Sequence, residues 1–139
     1  MKISDMFNRQ VITAGPQETL AAVALRMQDH NVGTVAIAEA QRPVGIVTDR
    51  DLALALGARG VSPQAPAQTV MTRRVLAIPE DTGIFSATQY IRECGVRRLP
   101  IVDREDRLVG IVSLDDLLRV LGRELANLAE GIEHEAEVK

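Results

Sequence analysis

Short β-branched runs alternate along the chain with stretches in which apolar residues return every three or four positions. The first kind of pattern suits a strand and the second suits one face of a helix. In the first half this predicts strands at 10–14, 34–38 and 43–47, and helices at 19–30 and 49–57. Leu20, Val23, Ala24 and Met27 give the first of those helices a single apolar face. In the second half the predicted strands are 75–78, 98–102 and 108–112, and the helices 81–94 and 114–129. Between the halves lies ARGVSPQAPAQ at 58–68, rich in Pro, Gly and small residues, which reads as a linker.

Both halves follow the order strand, helix, strand, strand, helix, and the match extends to residues. Gly45-Ile46-Val47-Thr48 returns 65 positions on as Gly110-Ile111-Val112-Ser113, and Asp51-Leu52 returns as Asp116-Leu117. Upstream, Val32 answers Val96 and Ile37 answers Ile101 at a spacing of 64. The extra residue falls where EAQRPV becomes DREDRLV, in a hairpin loop that tolerates insertion. Pro16-Gln17-Glu18-Thr19 also pairs with Pro79-Glu80-Asp81-Thr82, which makes Thr19 and Thr82 the expected helix N-caps. The expected fold class is α+β: two pseudo-symmetric strand-helix-strand-strand-helix repeats, 1–57 and 69–130, ahead of an acidic tail at 131–139. Halves this small bury little surface alone, so they should pack together as one unit.

The stretch GIVTDRD places Asp49 and Asp51 at a strand-to-helix junction, where a carboxylate pair could hold a metal or act in catalysis. The duplication tests that idea inside the chain. Thr48 becomes Ser113 and Asp51 becomes Asp116, but Asp49 becomes Leu114. The shared feature is therefore [ST]-x-x-D and not D-x-D. The only lysines, Lys2 and Lys139, stand at the termini, so the lysine of an aspartyl phosphohydrolase is missing as well. No enzyme is expected. A [ST]-x-x-D sequence at a helix start is a capping box. In duplicate it also suits a ribose-phosphate, because a helix N-terminus attracts phosphate and a carboxylate accepts from paired hydroxyls. The alternative is that both motifs serve only as caps.

Net charge is −3 and the aromatic fraction 2%, with Phe7, Phe85 and Tyr90 the only large rings. A nucleic-acid partner, which needs a basic face and stacking platforms, is not expected. No apolar run nears the ~20 residues that span a bilayer, and no signal-peptide core opens the chain. The lone Cys94 cannot close an internal disulfide, so a cytoplasmic setting is expected, with Cys94 as a small packed residue at a helix end. His30 and His134 lack partners in the pattern, and no metal site is expected.

GIVTDRD and GIVSLDD, the triplet Val70-Met71-Thr72, and GVRRLPIVD at 95–103 together resemble the cystathionine-β-synthase (CBS) domain, here as a tandem pair or Bateman module. The resemblance implies a regulatory binding module. Its ligands would be adenosine-containing molecules such as AMP, ADP, ATP, S-adenosylmethionine or NAD, bound in clefts between the repeats. Thr48 and Asp51 would serve one cleft, Ser113 and Asp116 the other. Gly33, Thr34, Val35, Arg97, Arg98, Leu99 and Pro100 would line them, with backbone contacts to adenine near Thr13 and Ile78. Arg97 and Arg98 are neighbours on a strand and so face opposite ways. Arg50 could reach a phosphate, whereas its counterpart Asp115 would repel one. The first repeat also lacks the Pro-h-h-Asp of Pro100 to Asp103, so one principal and one weaker site are expected. Helix-mediated homodimers and an effector protein acting in trans are further implications. Leu114, Leu117, Leu118, Leu121, Leu125, Leu128 and Ile132 form a stripe for the chain's own core or for a partner chain. Gly122 and Gly131 interrupt it.

Overall fold

The computed structural model describes residues 2–3, 11–73 and 77–138. The first repeat comprises β1 (Thr13–Ala14), α1 (Leu20–His30), β2 (Thr34–Glu39), β3 (Arg42–Thr48) and α2 (Asp49–Ala53), which widens into a π-turn at Leu54–Ala58. After a 3-10 turn at Ala67–Thr69 come β4 (Ile78–Pro79), α3 (Ile84–Cys94), β5 (Arg98–Val102), β6 (Leu108–Ser113) and α4 (Leu114–Val138). The sheets run β1-β2-β3 and β4-β5-β6. In each, a parallel pair spans the helical crossover and an antiparallel hairpin completes the sheet. Gln10, and Val75 and Leu76 of the predicted strand at 75–78, lie outside the described residues.

Strand register corrects one part of the repeat alignment. Ala14 pairs with Ile37, and Ile78 pairs with Ile101, so the spacing of 64 already holds at β1 and β4. It holds for the helices too, since α1 opens at Leu20 and α3 at Ile84. The counterpart of Thr19 is therefore Gly83 and not Thr82. Thr19 caps α1 as expected, its hydroxyl accepting from the Ala22 N–H at 3.1 Å. Gly83 takes the same extended backbone, φ −72° and ψ 157°, without a capping side chain. Pro16 and Pro79 share a residue type but not a place, because Pro79 belongs to β4. Both helices then end on left-handed residues, Asn31 (φ 51°) and Gly95 (φ 64°), which turn the chain into the next strand.

The hairpins differ as the sequence indicates. Ala40 and Gln41, both at positive φ, close β2 onto β3 in the manner of a two-residue primed turn. The longer second loop is organised by Asp103, whose carboxylate accepts from the backbone N–H groups of Glu105 and Arg107, each at 2.9 Å.

Each core borrows from the segment preceding the other repeat. Leu20, Val23, Met27, Val35, Ile37, Val47 and Leu52 form the first core, together with Ala67 from the end of the predicted linker. The second contains Ile78, Ala87, Ile91, Leu99, Ile101, Val112 and Leu117, together with Ile3 from the N-terminus. Ile3 and Ala67 are both wholly buried and again 64 positions apart. Their anchors match: Ile3 N–H donates to the Thr82 carbonyl at 2.8 Å, and Ala67 N–H to the Glu18 carbonyl at 2.7 Å. The predicted linker is thus a packed strap. Its Pro63 and Ala65 carbonyls accept from the Ala21 and Leu20 N–H groups, each at 3.0 Å, satisfying donors that a helix start leaves unpaired. Further on, Thr72 exchanges backbone bonds with Ile46 at 3.1 and 2.9 Å. Met71 lies so close to Gly45 that a Cβ there would meet its Sδ at 2.5 Å.

Two expectations change, and one left open is narrowed. Cys94 is exposed instead of packed. Helix α4 passes through Gly122 and Gly131 and includes most of the acidic tail, well beyond Ala129. Of its stripe only Leu117 is buried in the chain's own core, while Leu125, Leu128 and Ile132 stand 67–69% exposed. Among the described residues no helix is long and apolar enough to cross a membrane.

The register correction has a direct test. Thr19→Ala should lower unfolding free energy in urea by about 1 kcal/mol through loss of the cap. Thr82→Ala should stay within about 0.5 kcal/mol of the parent.

Candidate functional site

Each hairpin delivers its last residue to a helix start, and the sequence there closes a reciprocal clamp. At the first junction the Thr48 hydroxyl accepts from the Asp51 N–H at 3.1 Å, and Asp51 Oδ2 accepts from the Thr48 N–H at 2.9 Å. At the second, Ser113 Oγ accepts from the Asp116 N–H at 3.0 Å, and Asp116 Oδ2 from the Ser113 N–H at 3.3 Å. Both motifs are therefore true capping boxes. One carboxylate oxygen of each Asp is used in this way. The junctions are tied to the middle strands as well: Asp49 N–H donates to the Gly33 carbonyl at 3.0 Å and Leu114 N–H to the Arg97 carbonyl at 2.7 Å.

A cleft of about 260 Å³ opens between the repeats beside the second clamp. Val11, Ile12, Val32, Gly33 and Thr34 form its first-repeat wall. Arg98, Ile111, Ser113, Asp115 and Asp116 form the other. Gly33, Thr34, Arg98, Ser113 and Asp116, all singled out in the sequence, are thus brought together. Thr48, Arg50 and Asp51 stand at the opposite junction, with Asp51 half-buried and Arg50 exposed. The counterparts of Val11 and Ile12 at that junction are Val75 and Leu76, outside the described residues.

The remaining predicted residues face elsewhere. Val35, Ile78, Leu99 and Pro100 are buried. For Val35 and Leu99 strand alternation is the reason: Thr34 and Arg98 face the cleft, so their next neighbours must face the cores. Arg97 lies in the bend before β5 and not on the strand, and it meets Asp115 at 3.6 Å with both side chains about two-thirds exposed (69% and 66%). The Thr13 carbonyl accepts from Arg26 at 2.9 Å, and Arg26 in turn bonds Glu18. That guanidinium holds the Glu18 carboxyl below its ordinary value.

Five cleft residues were not assigned to the site from sequence: Val11, Ile12, Val32, Ile111 and Asp115. Ile111 was legible, since it shares a strand face with Ser113 two residues on. The others depend on how the repeats dock.

The walls combine aliphatic faces with two carboxylates, a guanidinium and two hydroxyls. Among the described residues one buried side-chain polar atom lacks a partner, Thr34 Oγ1, and it belongs to a residue of this wall. An unmet buried hydroxyl costs about 1–3 kcal/mol. The Ser113 hydroxyl, by contrast, is engaged in its cap. Among the described residues no cluster of three or more His, Cys, Asp or Glu could hold a metal ion.

A duplicated unit with a small cleft walled by both copies is the architecture of a small-molecule-binding module. The CBS domain profile matches residues 3–58 and 67–123, and the chain belongs to that family as a tandem pair. Such domains are generally regulatory and not catalytic. The CBS domain-containing protein YhcV of Bacillus subtilis is 37% identical over 115 residues, covering 83% of this chain and 81% of that protein. An uncharacterized protein of Methanopyrus kandleri is 36% identical over 122 residues, 86% of this chain but only 62% of that protein's length. Among solved structures, the CBS domain pair of protein MJ0100, in complex with 5′-methylthioadenosine and S-adenosyl-L-methionine, superposes with a TM-score of 0.78. It is 26% identical, and the match covers 89% of this chain and 98% of that one.

The clamps should be measurable as caps in the ligand-free protein. Ser113→Ala and Thr48→Ala should each cost about 1 kcal/mol in denaturant unfolding.

Proposed function

We propose that the chain is a non-catalytic sensor that binds an adenosine-containing ligand (AMP, ADP, ATP or S-adenosylmethionine) in the cleft between its repeats and signals to a partner protein. The observation that carries this reading is the convergence, in one cleft, of the Ser113–Asp116 clamp, the unpartnered Thr34 hydroxyl and an aliphatic wall. The MJ0100 pair, with the same fold, holds adenosyl ligands. Asp116 would accept from the ribose hydroxyls. Val11, Ile12, Val32 and Ile111 would enclose adenine without ring stacking. Because both repeats supply walls, a bound ligand bears on their relative placement, which is the means of passing on its presence. A cytoplasmic homodimer is part of the proposal. The exposed face of α4, with Leu118, Leu125, Leu128 and Ile132, and Phe85 on α3 at 76% exposure, would be covered by a second copy.

One observation favours a second reading. Both motifs are occupied as caps, so the chain could serve as a ligand-free interaction module.

Thermal unfolding with AMP, ADP, ATP, S-adenosylmethionine and NADH separates the two. A true ligand at a hundredfold its Kd adds about 2.7 kcal/mol of stability. Asp116→Ala should weaken its binding by about 1.5–3 kcal/mol. No shift with any compound at millimolar concentration leaves only the interaction module. For assembly, Leu125→Glu combined with Leu128→Glu should yield monomers in sedimentation, and an unchanged mass rejects that face as the dimer contact.

A further inference from the structure

Resting on the adenosyl-ligand reading, we infer that Asp115 is the specificity-determining residue of the described cleft. It selects against a 5′-phosphate, so the cleft takes adenosine or a 5′-thioether or 5′-sulfonium derivative of it in preference to a nucleotide.

The argument begins with charge. The cleft is lined by one guanidinium, Arg98, and two carboxylates, Asp115 and Asp116; Arg119 meets Asp116 at 3.5 Å, which leaves Asp115 as the carboxylate that weighs against Arg98. Asp116 is held by its cap at the clamp, where a ribose would sit. Asp115 stands one residue earlier in the first turn of α4. A helix N-terminus offers roughly half a positive charge. A full carboxylate in the same turn outweighs it, so the terminus no longer attracts an anion. The nearby Arg97 pairs with Asp115 at 3.6 Å, and with both side chains about two-thirds exposed, water weakens the pair and the reach of Asp115 alike.

The chain contains its own control. At the position equivalent to Asp115 the first repeat carries Arg50, with the rest of the motif, Thr48 and Asp51, intact. The two clamps share the capping box but differ in charge beside it, Asp49 and Arg50 standing where the second repeat has Leu114 and Asp115, and among the described residues only Asp116 of the two clamp carboxylates meets an arginine, Arg119. A further polar group of a wall residue, the buried Thr34 hydroxyl, is neutral and without a partner. A sulfonium would add attraction to Asp115, and a thioether would neither gain nor lose by it.

The test is calorimetric titration of the full chain with adenosine, 5′-methylthioadenosine, S-adenosylmethionine, AMP and ATP. Asp116→Asn isolates the binding that belongs to this cleft, and melting without ligand confirms that each variant is folded. Asp116-dependent binding of the phosphate-free compounds should exceed that of AMP by roughly two- to fivefold, and Asp115→Arg should reverse the order. The preference should shrink as salt is raised. Asp116-dependent binding of AMP as tight as that of adenosine, or a ratio unmoved by Asp115→Arg, overturns the inference while the ligand reading stands. Absence of Asp116-dependent binding by every compound overturns both.

Discussion

The exchange of Ile3 and Ala67 between the repeats is the contact on which the rest of the molecule depends. Each is fully buried in the core of the repeat it does not introduce, and each hangs from a backbone bond just before a helix. A repeat of this size, with a sheet of only three strands, has little apolar surface to bury by itself. Completing each core with the other's leading segment makes the two halves mutually dependent. It also sets their relative position, and so the existence of a cleft with Gly33 and Thr34 on one wall and Ser113 and Asp116 on the other.

Within that frame the [ST]-x-x-D motif does two things with one set of atoms. The hydroxyl and one carboxylate oxygen close a capping box, which stabilises the helix start and holds the side chain in one orientation. A carboxylate so held has already lost the rotamer freedom that binding would otherwise remove. The structural and the binding readings of the motif are for this reason not exclusive. The cap is what makes the Asp a defined recognition group.

Much of this was legible in the sequence. The duplication exposed the fold class, the element order, the inserted hairpin residue and the loss of any D-x-D pair at Leu114. These depend on local periodicity and on residue types forced by a strand-to-helix turn. The Thr82 cap failed because a match of residue types, Pro with Pro, was allowed to override the register that strand pairing imposes. The packing of the linker was not legible, because Pro, Gly and Ala mark irregular backbone whether or not it is packed. Helix α4 outran its expected end because Gly slows but does not stop a helix, its cost against Ala being only ~1 kcal/mol.

What the sequence determined by itself was everything carried by neighbours along the chain: two copies of one βαββα unit, their caps, and the hydroxyl and carboxylate of each clamp. The tertiary structure decided which residues from different copies meet. Alternation on β2 and β5 sends Thr34 and Arg98 to the cleft and Val35 and Leu99 to the cores. Docking then sets the first repeat's Val11 and Ile12 opposite the second repeat's clamp. No local pattern encodes that pairing, because it follows from the burial of Ile3 and Ala67 across the pseudo-symmetry and not from any residue within the site.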